Sequence, residues 1–231
     1  MQAMRTLTAL SLVLIAGTEA VIAQETPARP ATPADAKTAD PNTWRAMFDG
    51  KSLDGWKSTN FGGEGDVSVV DGNLTLDFGS SLTGATYTRD FPRTNYEVRA
   101  EAQRVDGRDF FCGMTFPVEK AYCSWIVGGW GGAVVGLSSI DGLDASENDT
   151  TKFMKFENER WYRFRLRVEP HRIQAWIDDQ RVIDQNITGR KISTRSEVVL
   201  SQPFGFAAWE TKAAIRNIAF RTLSPQEQDA P

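Results

Sequence analysis

Histidine is almost missing from this chain: His171 is the only one in 231 residues. It falls at a predicted turn beside Pro170, so a Ser-His-Asp triad or a His/Cys zinc site is left without its histidines. Acid–base work would fall to carboxylates, Tyr or Lys. Basic charge is not in excess either. A net charge of −4 and a pI near 5.2 argue against a nucleic-acid partner, because phosphate binding needs clustered Lys and Arg in excess. No apolar run approaches the roughly 20 residues that span a bilayer core. The longest, residues 7–17, follows Arg5 and precedes the small-residue site Val21-Ile22-Ala23, so residues 1–23 read as a cleaved secretory signal with no membrane span left behind. No cysteine follows that site to take a lipid, and the expected location is secreted or periplasmic. Cys112 and Cys123 are the only cysteines, and export permits them to pair. Predicted strands at 110–116 and 121–127, around a turn at 117–120, would set the two nearly opposite. That closeness favours a disulfide over two buried thiols, a local staple of at most about 2–3 kcal/mol.

What is abundant is alternation. In residues 161–184 Tyr162, Phe164, Leu166 and Val168 point one way while Trp161, Arg163, Arg165 and Arg167 point the other. After a turn at 169–172, Ile173, Ala175 and Ile177 alternate with Gln174, Trp176 and Asp178. Folding about that turn pairs Val168 with Ile173, Leu166 with Ala175 and Phe164 with Ile177. A slip by one residue would set apolar groups against arginines, so the register is well determined. A third strand at 181–184 completes a meander. Further short strands are expected at 67–70, 74–78, 85–90, 96–104, 152–156, 198–200, 203–210 and 214–222, with Asp71-Gly72 as a hairpin turn. Residues 48–56 supply Phe48, Leu53 and Trp56 to close one end of a core. No amphipathic helix and no fixed-period repeat appear. The expectation is an all-β fold, a two-sheet antiparallel β-sandwich over residues 44–223. A Pro/Ala/Thr-rich tether at 24–43 precedes it and a loose tail at 224–231 follows.

Candidate chemistry lies on that scaffold. Trp176 beside Arg165, together with Trp130 and Trp209 near glycine-rich backbone, suits a carbohydrate ligand, because indoles stack on sugar C–H faces while Arg bonds hydroxyls. Arg99 and Arg163 would share the face of Arg165. Glycines at 128, 129, 131, 132 and 136 imply bulges, a sharp bend or close approach of a ligand to backbone. Glu101, Glu210 and Asp141 are the candidate general bases. Glu97 and Glu101, roughly 13 Å apart along one strand, are too far apart for a two-carboxylate glycosidase. The loop at 141–149 offers Asp141, Asp144 and Glu147 as oxygen ligands for Ca²⁺ without matching the EF-hand spacing; the other reading is a solvated loop.

The FDGKSLDGW opening at 48–56, the hairpin bearing Trp161 and Trp176, and Gly205-Phe206 followed by Ile215-Arg216-Asn217-Ile218 resemble the 3-keto-disaccharide hydrolase domain. The likeness covers essentially residues 44–223. It implies a concanavalin A-like or laminin-G-like jelly roll, in an exported bacterial protein acting on glucosides oxidised at C3. In that chemistry the keto group acidifies the adjacent C–H, a base triggers loss of the glycosidic oxygen, and hydration follows. Where that family commonly offers His-Gly, this chain has Trp209-Glu210-Thr211-Lys212. The competing expectations are a non-catalytic glycan-binding module and an adhesion domain of the same fold.

Overall fold

The computed structural model describes residues 43–228. The expected signal, the tether up to residue 42 and the tail residues 229–231 lie outside them. Strands are numbered along the chain. One antiparallel sheet runs β13 (Gln180–Asn186), β12 (Arg172–Ile177), β11 (Tyr162–Glu169), β6 (Tyr96–Gly107), β15 (Thr211–Thr222), β4 (Asn73–Leu76) and β3 (Val67–Val70), with β1 (Arg45–Ala46) also on β15. The second runs β10 (Lys152–Phe153), β9 (Val134–Ser138), β8 (Ala121–Gly128), β7 (Gly113–Val118), β14 (Phe204–Trp209), β5 (Leu82–Tyr87) and β2 (Trp56–Ser58). The fold is the expected two-sheet β-sandwich. Among the described residues no helix is long and apolar enough to cross a membrane.

The 161–184 meander has the register its alternation demands: Val168 faces Ile173, Leu166 faces Ala175 and Phe164 faces Ile177. β11 then pairs with β6, placing Arg163 opposite Glu101 and Arg167 opposite Glu97. Acids and arginines interleave on the wet side, and Tyr96, Val98, Ala100 and Ala102 stay buried. Between the sheets Phe111, Phe116, Trp125, Phe164, Phe204 and Phe206 are fully enclosed. Burying each such side chain contributes about 2–3 kcal/mol. The rings meet edge-on, as Trp125 does Phe164 at 5.6 Å between centroids, the geometry that aromatic quadrupoles favour. At the end closed by 48–56, Trp56 stacks on Phe206 at 5.9 Å and its indole N–H donates to the Met47 carbonyl at 2.7 Å.

Three expectations are corrected. Cys112 and Cys123 are free, buried thiols. The turn between β7 and β8 takes only Glu119 and Lys120, so Cys123 faces Phe116 while Cys112 precedes the strand. Both side chains enter the core, and burial pushes the Cys123 thiol up to about 12. Residues 198–200 are not a strand but part of a 3-10 turn, Ser196–Ser201. The apolar Val198 is buried while Val199 and Leu200 stand out, so a run of three apolar residues misled the period reading. The sharp bend expected in the glycine-rich middle is present at 129–132, with strands β8 and β9 on either side. The tail begins as a turn rather than loose chain: the Ser224 hydroxyl donates to Glu227 at 2.9 Å, and Arg221 bonds the same carboxylate at 2.7 Å.

Candidate functional site

The outer face of the seven-stranded sheet holds a cavity. Alternation directs Ser124, Ile126 and Ser138 outward from strands whose Cys123, Trp125, Val127 and Leu137 fill the core. Next to them β14 presents only Gly205 and Ala207 before Trp209, so the floor is low. A Cβ on Gly205 would lie 2.8 Å from the Ser201 carbonyl, which shows how closely the 3-10 turn approaches the sheet. The Thr86 hydroxyl holds that turn by donating to the Leu200 carbonyl at 3.1 Å. Asp109, Phe110, Trp130, Arg195, Glu197 and Trp209 ring the resulting space of about 240 Å³.

Two local structures set the polar groups. In the bend at 129–132 Trp130 adopts φ 50°, the left-handed region that costs a side-chain-bearing residue about 1–3 kcal/mol. It is held there by the Gly131 N–H, which donates to one Asp109 carboxylate oxygen at 2.8 Å; the other oxygen accepts from the Phe110 N–H at 2.7 Å. Asp109 thus carries a hydrogen-bonded carboxylate that makes no ion pair among the described residues and feels Arg104 only at longer range, and Trp130 stays 47% exposed beside it. On the opposite rim, Arg195 donates to Glu197 at 2.7 Å and also bonds Asp144. Ser138 donates to Asp144 at 2.9 Å. The Arg195 hydrogen bonds hold the Glu197 carboxyl down to about 2. Glu197 is therefore a fixed anion that accepts from hydroxyls and a weak base.

The residues expected from sequence are divided between faces. Trp130 and Trp209 reach the cavity. Arg99, Glu101, Arg163, Arg165 and Trp176 share a trough of about 750 Å³ on the outside of the eight-stranded sheet. That trough is larger, yet its groups are engaged with one another. The Arg165 guanidinium lies 3.7 Å over the Trp176 ring, which leaves that side of the indole covered. Arg163 bonds Asp179 at 3.0 Å. Arg99 stacks 4.5 Å over Trp44. Glu101 accepts from Arg216 and Asn217, both at 2.9 Å. Burial pushes its carboxyl up, but those two hydrogen bonds outweigh it and hold the group below the ordinary range. Asp141 lies on neither face's cavity: the Lys191 N–H at 2.7 Å and Arg190 at 2.5 Å hold its carboxyl down. Glu210 sits in the turn joining β14 to β15 with φ 43°. Asp141, Asp144 and Glu147 do not gather, and the described residues contain no cluster of three or more His, Cys, Asp or Glu fit for a metal.

Sequence reasoning missed Asp109, Arg195 and Glu197. Asp109 sits in a bend just after β6, and the other two lie in the connection between β13 and β14, residues 187–203, long enough to have signalled function.

The 3-keto-alpha-glucoside-1,2-lyase-like domain family matches residues 43–221. Among solved structures, a Bacillus licheniformis beta-glucanase superposes with a TM-score of 0.52 at 9% identity, covering 79% of this chain and 98% of its own. A Bacillus subtilis protein described as having a galectin-like fold gives 0.55 at 11% identity over 78% and 95%. The CBM66 carbohydrate-binding module, also from Bacillus subtilis, gives 0.50 at 15% over 73% and 96%. These likenesses establish a common sandwich. No curated protein matches. A match over nearly the whole described region places this chain in the 3-keto-alpha-glucoside-1,2-lyase-like family, and with it among carbohydrate-active proteins.

Proposed function

We propose that the chain is an exported enzyme that cleaves 3-keto-glucosides in the cavity of the seven-stranded sheet, with Asp109 as general base. Membership of the family supports this substrate class. One observation carries the location: Asp109, a rim carboxylate with no ion pair among the described residues, lies beside an exposed indole over an apolar floor. In this reading Trp130 and Trp209 hold the sugar ring by its C–H faces. Arg195 and Glu197, fixed by each other, bond hydroxyls and orient the keto group.

The C3 carbonyl acidifies the C2 proton, which passes to the Asp109 carboxylate. As the C2–H electrons form the C1–C2 double bond, the C1–O bond breaks and the departing oxygen takes the proton that Asp109 accepted, which restores the carboxylate. Water then adds across the double bond, so the net change is hydrolysis. A single base suffices, which fits the absence of a second unpaired carboxylate on the rim.

Turnover of a 3-keto-glucoside by Asp109→Asn is the test. Asparagine keeps an acceptor for the Gly131 N–H and removes the base, so kcat should fall about 10²–10⁴-fold with the fold retained. Unchanged turnover would end Asp109's role. No turnover by the unaltered protein would leave a sugar-binding module. Export is checked separately by N-terminal sequencing of the mature chain, which should begin near Gln24.

A further inference from the structure

Behind the bend that carries Trp130 lies a second depression, whose ionisable lining is entirely cationic. Its walls include Arg104, Arg108 and Lys155, with Gly132 and Phe153, around about 440 Å³. Arg104 is only 6% exposed. Two of its donors are used, Nε to Asn158 at 2.6 Å and one terminal nitrogen to the Phe156 carbonyl at 2.7 Å. The other terminal nitrogen, Nη1, is buried and has no hydrogen-bond partner. A buried cationic donor left empty is costly, because its desolvation is not offset. Arg108 and Lys155 are exposed and make no carboxylate pair among the described residues. Only the Gly132 backbone lies over Nη1: a Cβ there would fall 3.2 Å from Nη1 and 2.7 Å from the Arg108 carbonyl, so no larger residue fits. Phe153, 76% exposed, offers an apolar platform at the edge.

We propose that this depression is a binding site for a tetrahedral oxyanion, a phosphate or sulfate group, with Arg104 Nη1 as its buried anchor. With Nε and one N–H of Nη2 engaged, both N–H groups of Arg104 Nη1 are to spare. Three separate cations suit an anion whose oxygens point in several directions. The volume exceeds that of inorganic phosphate, and Phe153 gives a sugar bearing the group a surface to rest on. The site is distinct from the cavity in front of the bend. The two adjoin at residues 129–132, with Trp130 lining one and Gly131 and Gly132 the other, and again where Arg108 of the depression precedes Asp109 of the cavity, whose carboxylate interacts electrostatically with Arg104.

Calorimetric titration of the full chain at fixed ionic strength tests this with inorganic phosphate, glucose 6-phosphate and glucose. Saturable binding of inorganic phosphate is expected, weakened at least about tenfold in the double variant Arg108→Gln/Lys155→Gln. Both residues are exposed, so that variant should fold where Arg104→Gln, which loses the Asn158 and Phe156 bonds, could collapse the site. Tighter binding of glucose 6-phosphate than of inorganic phosphate would identify a sugar ester as the occupant; equal binding would identify the free oxyanion. An absence of saturable phosphate binding, or affinity unchanged in the double variant, overturns the proposal. Keto-glucoside turnover does not enter this measurement, so the catalytic reading stands or falls apart from it.

Discussion

The two outer faces of the sandwich use the same residue types to opposite ends. On the eight-stranded sheet, tryptophans and arginines cover each other: Arg165 lies over Trp176 at 3.7 Å and Arg216 over Trp161 at 3.9 Å. Carboxylates between them are bonded, and Glu97 is sealed to 2% exposure beneath Arg165 and Arg221. On the seven-stranded sheet the strands offer mostly small or apolar groups, with Trp209 at the end of β14, and Trp130 and the charges come from bends and turns at the rim. A face built from strand positions can satisfy itself by cross-strand pairing. A rim built from loops leaves groups unspent, and those are the ones available to a ligand.

The sharpest way to break this contrast is to disturb the paired face. Glu97→Ala removes the buried carboxylate that bonds Arg221 and faces half-exposed Arg165, and with Arg221 still held by Glu227 the loss should be about 1–3 kcal/mol. Denaturant unfolding should show that loss while sugar binding at native conditions persists. If binding fell and stability held, the paired face would be the functional one.

A smaller effect separates the tryptophans. Trp130→Ala removes a half-exposed ring, so stability should change by less than about 1 kcal/mol while sugar affinity falls about tenfold. Trp176→Ala should do the reverse, leaving affinity alone and costing about 1 kcal/mol through the lost cation–π contact. Calorimetry and thermal unfolding on both variants decide it.

Acid titration sharpens the rim. The Glu197 carboxyl titrates near 2 in the folded chain because Arg195 bonds it, against about 4.3 when unfolded. A lowered folded pKa gives stability that is present above the unfolded value and lost as pH falls through the folded one. The Arg195–Glu197 contribution should therefore fade between about pH 4.3 and 2. Carboxyl NMR shifts of Glu197 would follow it, and in Arg195→Gln the midpoint should move up towards the unfolded value. The least effect of all is expected from a reductant: with Cys112 and Cys123 free and buried, it should leave the melting temperature unchanged, and thiol reagents should react only after unfolding.

The fold was legible where side chains repeat with a period of two. β11 and β12 show it most plainly, because a one-residue slip would bury Arg163, Arg165 and Arg167 together. Cysteine pairing was not legible, since moving a turn by two residues changes which positions face one another, and nothing in 117–120 fixed its length. The site was half legible. Trp130 and Trp209 announce themselves beside glycines, whereas Asp109 looks like any loop acid until Gly131 folds back onto it. Arg195 and Glu197 reach Asp144 and Ser138 only through the long connection from β13 to β14, and no local pattern encodes a contact across so many residues. Arg99, Arg163 and Arg165 do share one face, and Arg165 over Trp176 follows from the hairpin register, but the cover of Arg99 over Trp44 depends on residue 44 lying across β6.

The most direct measurement is a crystal structure of the Asp109→Asn protein soaked with a 3-keto-glucoside. The ring should lie against Trp130 and Trp209 with C2 facing residue 109 and hydroxyls bonded to Arg195 and Glu197. A sugar seated on Trp176 and Arg165, with the cavity of the seven-stranded sheet empty, would contradict the account.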